Sequence, residues 1–408
     1  MATLKPFRAL RPSSATAAAV SAVPYDVVST PEARALASGN SLSFLHVSRP
    51  EIDLPDGTDP YADSVYARAA ANFEKLKREA ALTREDTPSL YVYRLRMDGH
   101  EQTGVAGCSS LEEYDKDVVR KHERTRKDKE DDRTRHMVTL KAQTGPVFLT
   151  YRDSSEIDRL VEGAKRERPI FDFTAADGVT HTIWRLEAEP TRRVAGAFES
   201  VPLFYIADGH HRAASAARAR DQLRAANPRP TGSEDYNRFL TVLFPASQVR
   251  ILPYNRVVKD LGSRSPEQFL EEMRRRFRLR DDVPASPAKK GDVSLYLGGR
   301  WYGFELPRAA SGGSIENLDA HLLERHVLDE LLGIKDIRTD KRIDFVGGIR
   351  GTKELEKLVD SRSFAAAFSM FPVSVAELMK ISDEGQIMPP KSTWFEPKLR
   401  DGLLIHEI

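Results

Sequence analysis

Phe204-Tyr205-Ile206-Ala207-Asp208-Gly209-His210-His211-Arg212-Ala213-Ala214-Ser215-Ala216 reads as a buried strand, a sharp polar turn and a helix that begins at once. A helix start carries unpaired backbone N–H groups and a partial positive charge, so it can seat a phosphate. An ordinary strand-to-helix turn needs only Asp208 as N-cap and Gly209 for the bend. Two imidazoles and a guanidinium go beyond that need. Arg212 in the first turn opposes the helix dipole, and His210 and His211 add nothing to capping. Local rules are broken in this way at functional sites. The alternative is a plain cap followed by a solvated first-turn charge.

Outward from this turn, the helix runs to about Ala226, and Phe239 to Phe244 forms a buried strand. Upstream, Asp63 to Ala81 carries Tyr66, Ala69, Phe73 and Leu76 at helical spacing. Leu90 to Arg96 and Gln102 to Ser109 flank Asp98-Gly99, a strong hairpin signal. Val147 to Tyr151 and Thr180 to Leu186 are further strands, and Arg250 to Val258 another. Ser263 to Phe277 and Asn317 to Leu332 read as helices, with a hairpin over Val293 to Leu297 and Trp301 to Leu306 between them. Strands and helices mix without strict βαβ alternation, so the class is α+β. A domain boundary is expected between Leu261 and Gly291. The division that follows is 1–110, an N-terminal α/β region; 111–265, the core; and 266–408, a C-terminal α/β domain whose tail returns to the site.

The chain has 408 residues, enough for two or three domains. Hydrophobic residues make up 40% and charged residues 30%, which excludes a disordered chain. Net charge is +1, so no global field attracts nucleic acid or acidic membranes. Cys108 is the only cysteine, which rules out an internal disulfide and fits a reducing cytoplasm. The Ala-rich segment Ser13 to Val23 lacks an apolar core strong enough for a signal peptide. GxGxxG, HExxH and GxSxG patterns are absent, as are the protein-kinase motifs and a helix-turn-helix signal.

Two further stretches carry chemistry. Arg120 to His136 contains no apolar side chain, so a helix there is polar on every face and core packing cannot hold it. It reads either as a surface helix with i,i+4 pairs such as Glu123 with Lys127, or as a mobile charged wall over an anion site. In the second case Glu123 or His122 is the base, and Lys129 and Arg133 contact phosphate. Near the C-terminus, Met388-Pro389-Pro390-Lys391-Ser392-Thr393-Trp394-Phe395-Glu396-Pro397-Lys398 is stiffened by proline and anchored by aromatics. Lys-Ser-Thr without the cradling glycines is not a P-loop. A terminal strand docking on the sheet is the plainer reading.

Taken together, these motifs resemble the DUF1015 family over nearly the whole chain. The resemblance rests on Pro24-Tyr25-Asp26-Val27, Phe44-Leu45-His46-Val47 with Arg49-Pro50-Glu51, Tyr91-Val92-Tyr93-Arg94, Lys121 to Arg133, Ala207 to Arg212, and Met388 to Lys398. The Asp-Gly-His-His-Arg turn is also similar to that of the ParB/sulfiredoxin-like superfamily, and within it to the free-serine kinases. Those enzymes phosphorylate L-serine with ADP or ATP and Mg²⁺. Their Pro-His-Glu, with Glu as base, resembles Lys121-His122-Glu123, and their Pro-Lys-Thr-Thr resembles Pro390-Lys391-Ser392-Thr393. Lys121 replaces Pro, Ser392 replaces Thr, and the Glu123-to-Asp208 spacing is larger than in the kinases.

The resemblance implies a ParB/sulfiredoxin-like core and a cytoplasmic phosphotransferase acting between a nucleotide and L-serine or O-phospho-L-serine. Its implied catalytic set is Glu123, His122, Asp208 and His211. Gly209, His210, Arg212, Lys129 and Arg133 are expected to hold nucleotide and phosphate, and Lys391, Ser392 and Thr393 the substrate. Mg²⁺ is expected with Asp208 as a ligand; no nucleic-acid or membrane partner is expected. The alternatives are a phosphoserine phosphatase-like hydrolase, a ParB-like nucleotide-binding module without catalysis, and a noncatalytic scaffold.

Overall fold

The computed structural model describes residues 1–80, 82–308 and 312–408. Helices and strands intermix in an α+β arrangement. The chain divides into two compact units: Met1–Lys121, Thr125–Val249 and Pro397–Ile408 form the first, and His122–Arg124 with Arg250–Glu396 the second. No helix among the described residues is long and apolar enough to cross a membrane.

The first unit is built on a nine-stranded mixed sheet. Its strands are β1 (Leu4–Lys5), β2 (Tyr91–Met97), β3 (His100–Ser110), β4 (Val119–Arg120), β5 (Val147–Tyr151), β6 (Phe171–Thr174), β7 (Thr180–Arg185), β8 (Phe204–Asp208) and β9 (Arg238–Pro245). The order is β4-β8-β5-β9-β3-β2-β7-β6, with β1 added to β3. The β2–β3 hairpin closes at Asp98-Gly99, where both residues take positive φ (50° and 76°), the handedness that tight hairpins need. β8 lies between β4, to which it is parallel, and β5, to which it is antiparallel. A register shift between Ile206 and Asp208 marks the end of that pairing.

The expected break at residue 110 falls at the end of β3, which pairs with β9 from Ser110↔Arg238 to Val105↔Leu243. One continuous hydrogen-bonded sheet thus joins the N-terminal strands to the strand–turn–helix, and the chain leaves the first unit after Val249 rather than near 265, rejoining it at Pro397–Ile408.

Helices α1 (Asp63–Glu79), α2 (Lys127–Leu140), α3 (Ser155–Ala164), α4 (Ala188–Phe198) and α5 (His210–Ala226) belong to this unit. The expected α1 end at Ala81 lies outside the described residues. α5 buries Ala213, Ala216 and Ala219 in the same core as Val92, Val105, Leu149, Phe204 and Ile206. Alanine is the reason a helix can lie this close to a sheet, and burying such apolar surface contributes roughly 25 cal/mol per Å². A second core joins Phe73 and Leu76 of α1 to Phe44 and Ile405.

The second unit holds a six-stranded antiparallel sheet. Its strands are β10 (Tyr254–Val258), β11 (Arg280–Asp281), β12 (Asp292–Leu297), β13 (Arg300–Glu305), β14 (Ile343–Gly347) and β15 (Ala366–Met370), in the order β11-β13-β12-β15-β10-β14. The strand expected over Arg250–Val258 is two: Arg250–Leu252 pairs with Trp394–Glu396, and β10 enters the sheet after Pro253, which has no N–H for a ladder. The helix expected from Asn317 begins at Asp319 and turns π-helical over Glu324–Asp329.

Candidate functional site

The turn after β8 is formed by Gly209 at φ 94°, a left-handed conformation that only glycine adopts without cost. Gly209, not Asp208, is the N-cap of α5, and it brings no side-chain acceptor to the helix start. No acidic residue stands in the first turn. Asp208 instead turns its Oδ1 back to the Gly209 N–H (2.9 Å) and its Oδ2 to Lys398 Nζ (3.0 Å). Burial opposes ionisation of Asp208, but the Lys398 ammonium and the Arg212 guanidinium overcome it and hold the carboxyl well below the usual carboxylate range.

Arg212 is 6% exposed at its side chain, so it is not a solvated first-turn charge. Its Nη1 donates to Pro146 O, and its Nη2 lies 3.9 Å from both Asp26 Oδ1 and Asp208 Oδ2. Burial would lower its pKa, yet Asp26, Asp208 and Asp401 together raise it, so the cation is permanent. Asp401 is buried, and burial pushes its carboxyl up to about 7 against the pull of Arg212. Gly145 makes room for it, because a Cβ there would collide with the Asp401 carboxylate.

The charged stretch contains a helix, α2, but Glu123 precedes it, so Glu123 and Lys127 are not an i,i+4 pair on one helix. α2 is not a mobile wall. Asp132, Thr134 and His136 are buried, and polar contacts do what apolar packing cannot. Tyr66 OH donates to Asp132 Oδ1 (2.8 Å), Ser215 Oγ of α5 to Glu130 O (3.2 Å), and His136 Nε2 meets Val47 O at 2.8 Å. Burial, with Arg133 nearby, lowers the His136 pKa to about 4, so that ring is neutral and donates.

Arg133 was expected to contact phosphate, but its donors are engaged. Nε bonds Asp132 Oδ2 (2.8 Å), Nη1 bonds Ser48 O (3.3 Å), and the guanidinium lies 4.2 Å from the Tyr25 ring centroid. Lys129 is half-buried and donates to Tyr61 OH (3.0 Å). His211 Nε2 accepts the N–H of Arg126, the N-cap of α2, at 3.0 Å. That lone pair is the one a general base at this nitrogen would use, so His211 is placed to position the entry of α2. His210 is buried at the helix start.

Within the second unit, the His122 carbonyl accepts the Met388 N–H (2.8 Å), and His122 Nε2 lies 3.5 Å from Thr393 Oγ1. Ser392 Oγ donates to Pro389 O (2.7 Å), and Lys391, at φ 59°, holds its ammonium 5.6 Å from the Tyr254 ring centroid. Glu123 is half-buried beside His122 in the chain. Two expected groups are therefore each gathered within one unit: His122 with Thr393, and Asp208 with Gly209, His210, His211 and Arg212.

Sequence reasoning missed Lys398, Asp401 and the part played by Asp26. Asp26 sits in the Pro24–Val27 string, which Arg49 holds by bonding Tyr25 O at 3.0 Å. The tail is pinned by Arg400, whose Nε donates to His181 Nε2 (3.0 Å) and whose Nη2 pairs with Asp177. Its available signal was Lys398, Arg400 and Asp401 set just before the apolar run Leu403-Leu404-Ile405. Asp208 Oδ1 holds a backbone N–H and the Lys398 ammonium stands at Oδ2, so a cation at that oxygen would compete with Lys398.

The family model for the protein of unknown function DUF1015 matches residues 4–321, and the chain belongs to that family. No curated protein matches it. Among solved structures, a free serine kinase in complex with AMP is 13% identical, covering 72% of this chain and 86% of its own, with a TM-score of 0.36. A mutant free serine kinase in complex with ADP is 14% identical, covering 72% and 87%, with the same TM-score of 0.36. A conserved hypothetical protein from Pyrococcus furiosus is 15% identical and covers 74% of this chain and 94% of its own, also at 0.36.

Proposed function

We propose that the protein is a cytoplasmic phosphotransferase acting between a nucleotide, ATP or ADP, and a small hydroxyl amino acid, with L-serine and O-phospho-L-serine as the pair. The observation that carries this reading is the turn at Asp208–Arg212. Its glycine N-cap supplies no competing acceptor, its first turn holds no acid, and a permanently charged Arg212 lies beneath it. Such a helix start suits phosphate oxygens. The order of the three motifs along the chain supports the same reading, and the proposal extends to a ParB/sulfiredoxin-like kinship for the core.

Glu123 is assigned as general base. It accepts the serine hydroxyl proton as that oxygen bonds to the terminal phosphorus. The bond from phosphorus to the bridging oxygen breaks, and the departing nucleotide keeps the electron pair. Gly209 and His210, with Lys129, hold the phosphates. Lys391, Ser392 and Thr393 hold the amino acid, with His122 against Thr393. Arg212, Arg133 and His211 act by position, and no step is routed through a metal on Asp208.

Purified protein incubated with L-serine, Mg²⁺ and ATP or ADP should yield phosphoserine. Glu123→Gln should lower turnover by roughly 10²–10⁴-fold while nucleotide binding persists. Absence of phosphoserine formation, together with no phosphoserine consumption in the reverse assay, removes the proposal.

A further inference from the structure

A second concentration of charge lies elsewhere in the first unit. Lys5, Phe7, Arg8, Arg84, Asp235 and Arg238 line a cavity of about 400 Å³. Four cations face one carboxylate there. Arg84 shares Glu407 with Lys77, its Nε lying 3.3 Å from Glu407 Oε2. Lys5, Arg8 and Arg238 form no ion pair or side-chain hydrogen bond among the described residues.

The frame beneath these cations is fixed. Lys5 lies in β1, paired to Cys108, and Phe7 exchanges both backbone hydrogen bonds with Ser89, at 3.1 and 3.0 Å. Arg84 lies in a two-stranded ribbon with Leu10–Arg11, and Arg238 opens β9. Phe7 is buried and packs edge-on against His406, so the floor is rigid as well. Like charges gathered on a fixed backbone repel one another, and folding has already met the cost of bringing these backbone positions together.

We propose that this cavity binds a phosphorylated small molecule carrying at least two negative charges. Three of its four cations are arginines, whose planar fork matches phosphate oxygens in pairs. The volume falls in the range of small-molecule sites and exceeds what a lone anion fills. A nucleic-acid strand would need a stripe of cations across the surface, whereas these four are gathered in one concavity on a chain of net charge +1.

The test is isothermal titration of the full chain with pyrophosphate, glucose 6-phosphate and succinate. At least one of the two phosphate compounds should bind, more weakly as NaCl is added. The double variant Arg8→Gln, Arg238→Gln should lose affinity about tenfold or more, and Lys5→Gln should lose less. These variants should leave any serine-phosphorylating turnover unchanged, which separates this site from the turn at Asp208. Binding of neither phosphate compound, succinate binding equally well, or undiminished affinity in the folded double variant would each overturn the assignment.

Discussion

Arg212 and Lys398 sit among carboxylates, whereas Lys5, Arg8 and Arg238 share a cavity with almost none. Both groups belong to the same unit. Around Arg212, Asp26, Asp208 and Asp401 come from three distant segments, and the guanidinium is sealed from water. Around Arg8 the cations stay in solvent contact. Charges that are paired and buried fix a backbone and set each other's protonation; charges that are unpaired and fixed leave attraction for something outside the chain. The first arrangement builds a turn, and the second offers a surface.

That contrast can be broken at its strongest point. Arg212→Ala leaves Asp26 and Asp208 facing an emptied, buried position, and loss of one partner from such a set costs roughly 3–5 kcal/mol. Denaturant melts should show that loss; a variant as stable as the parent would mean that Arg212 is a ligand arm and not a strut.

Lys398→Met is the next largest. It removes the ammonium from Asp208, and a hydrogen bond to a charged group is worth about 1.5–3 kcal/mol. The Asp208 carboxyl should titrate higher, as carboxylate NMR can follow. With its pKa depressed in the folded state, Asp208 stabilises the fold above the ordinary carboxylate pKa, and that contribution is lost as pH falls below it. Acid unfolding of Lys398→Met should therefore begin at higher pH.

Asp401 has the opposite sign. Its folded pKa of about 7 lies above the ordinary 3.8, so in this window the folded chain keeps a proton that the unfolded chain has released. Its contribution is fully present below about pH 4 and lost as pH rises towards 7, with a slope of at most about 1.4 kcal/mol per pH unit. Asp401→Asn should flatten that part of the stability curve.

At the small end, Lys5→Gln and Arg8→Gln touch exposed, unpaired groups and should move the melting temperature by less than about 2 °C. A large loss there would show that the cavity cations are structural, and the contrast would fail.

The strand–turn–helix at Phe204–Ala226 and the hairpin at Asp98-Gly99 were legible because their signals are local: an apolar run, a glycine at positive φ, a periodic face. The split at Pro253 was written in the chain as well, in a residue without an N–H, although Arg250–Val258 reads as one strand. α2 was not legible in the same way. Its sequence offers no apolar stripe until Met137, and partners distant in the chain, among them Tyr66, Ser215 and the Val47 carbonyl, explain how its polar residues are buried.

The candidate site divides along the same line. The turn glycine, the two histidines and the arginine announced themselves, but their roles did not. His211 is spent on the Arg126 N–H, Arg133 on Asp132 and Ser48, and Asp208 on a lysine nearly two hundred residues away (|i−j| = 190).

By itself, the sequence determined the family, the α+β class and the residues that make the turn after β8. Backbone preference and hydrophobic period act over a few neighbours, so a single stretch contains them whole. Tertiary structure alone decided which charges are paired, which carboxyl keeps its proton to about pH 7 and which cations stand unpaired. Coulombic attraction and desolvation depend on distance through space and on exclusion of water, and neither is encoded in the spacing of residues along the chain.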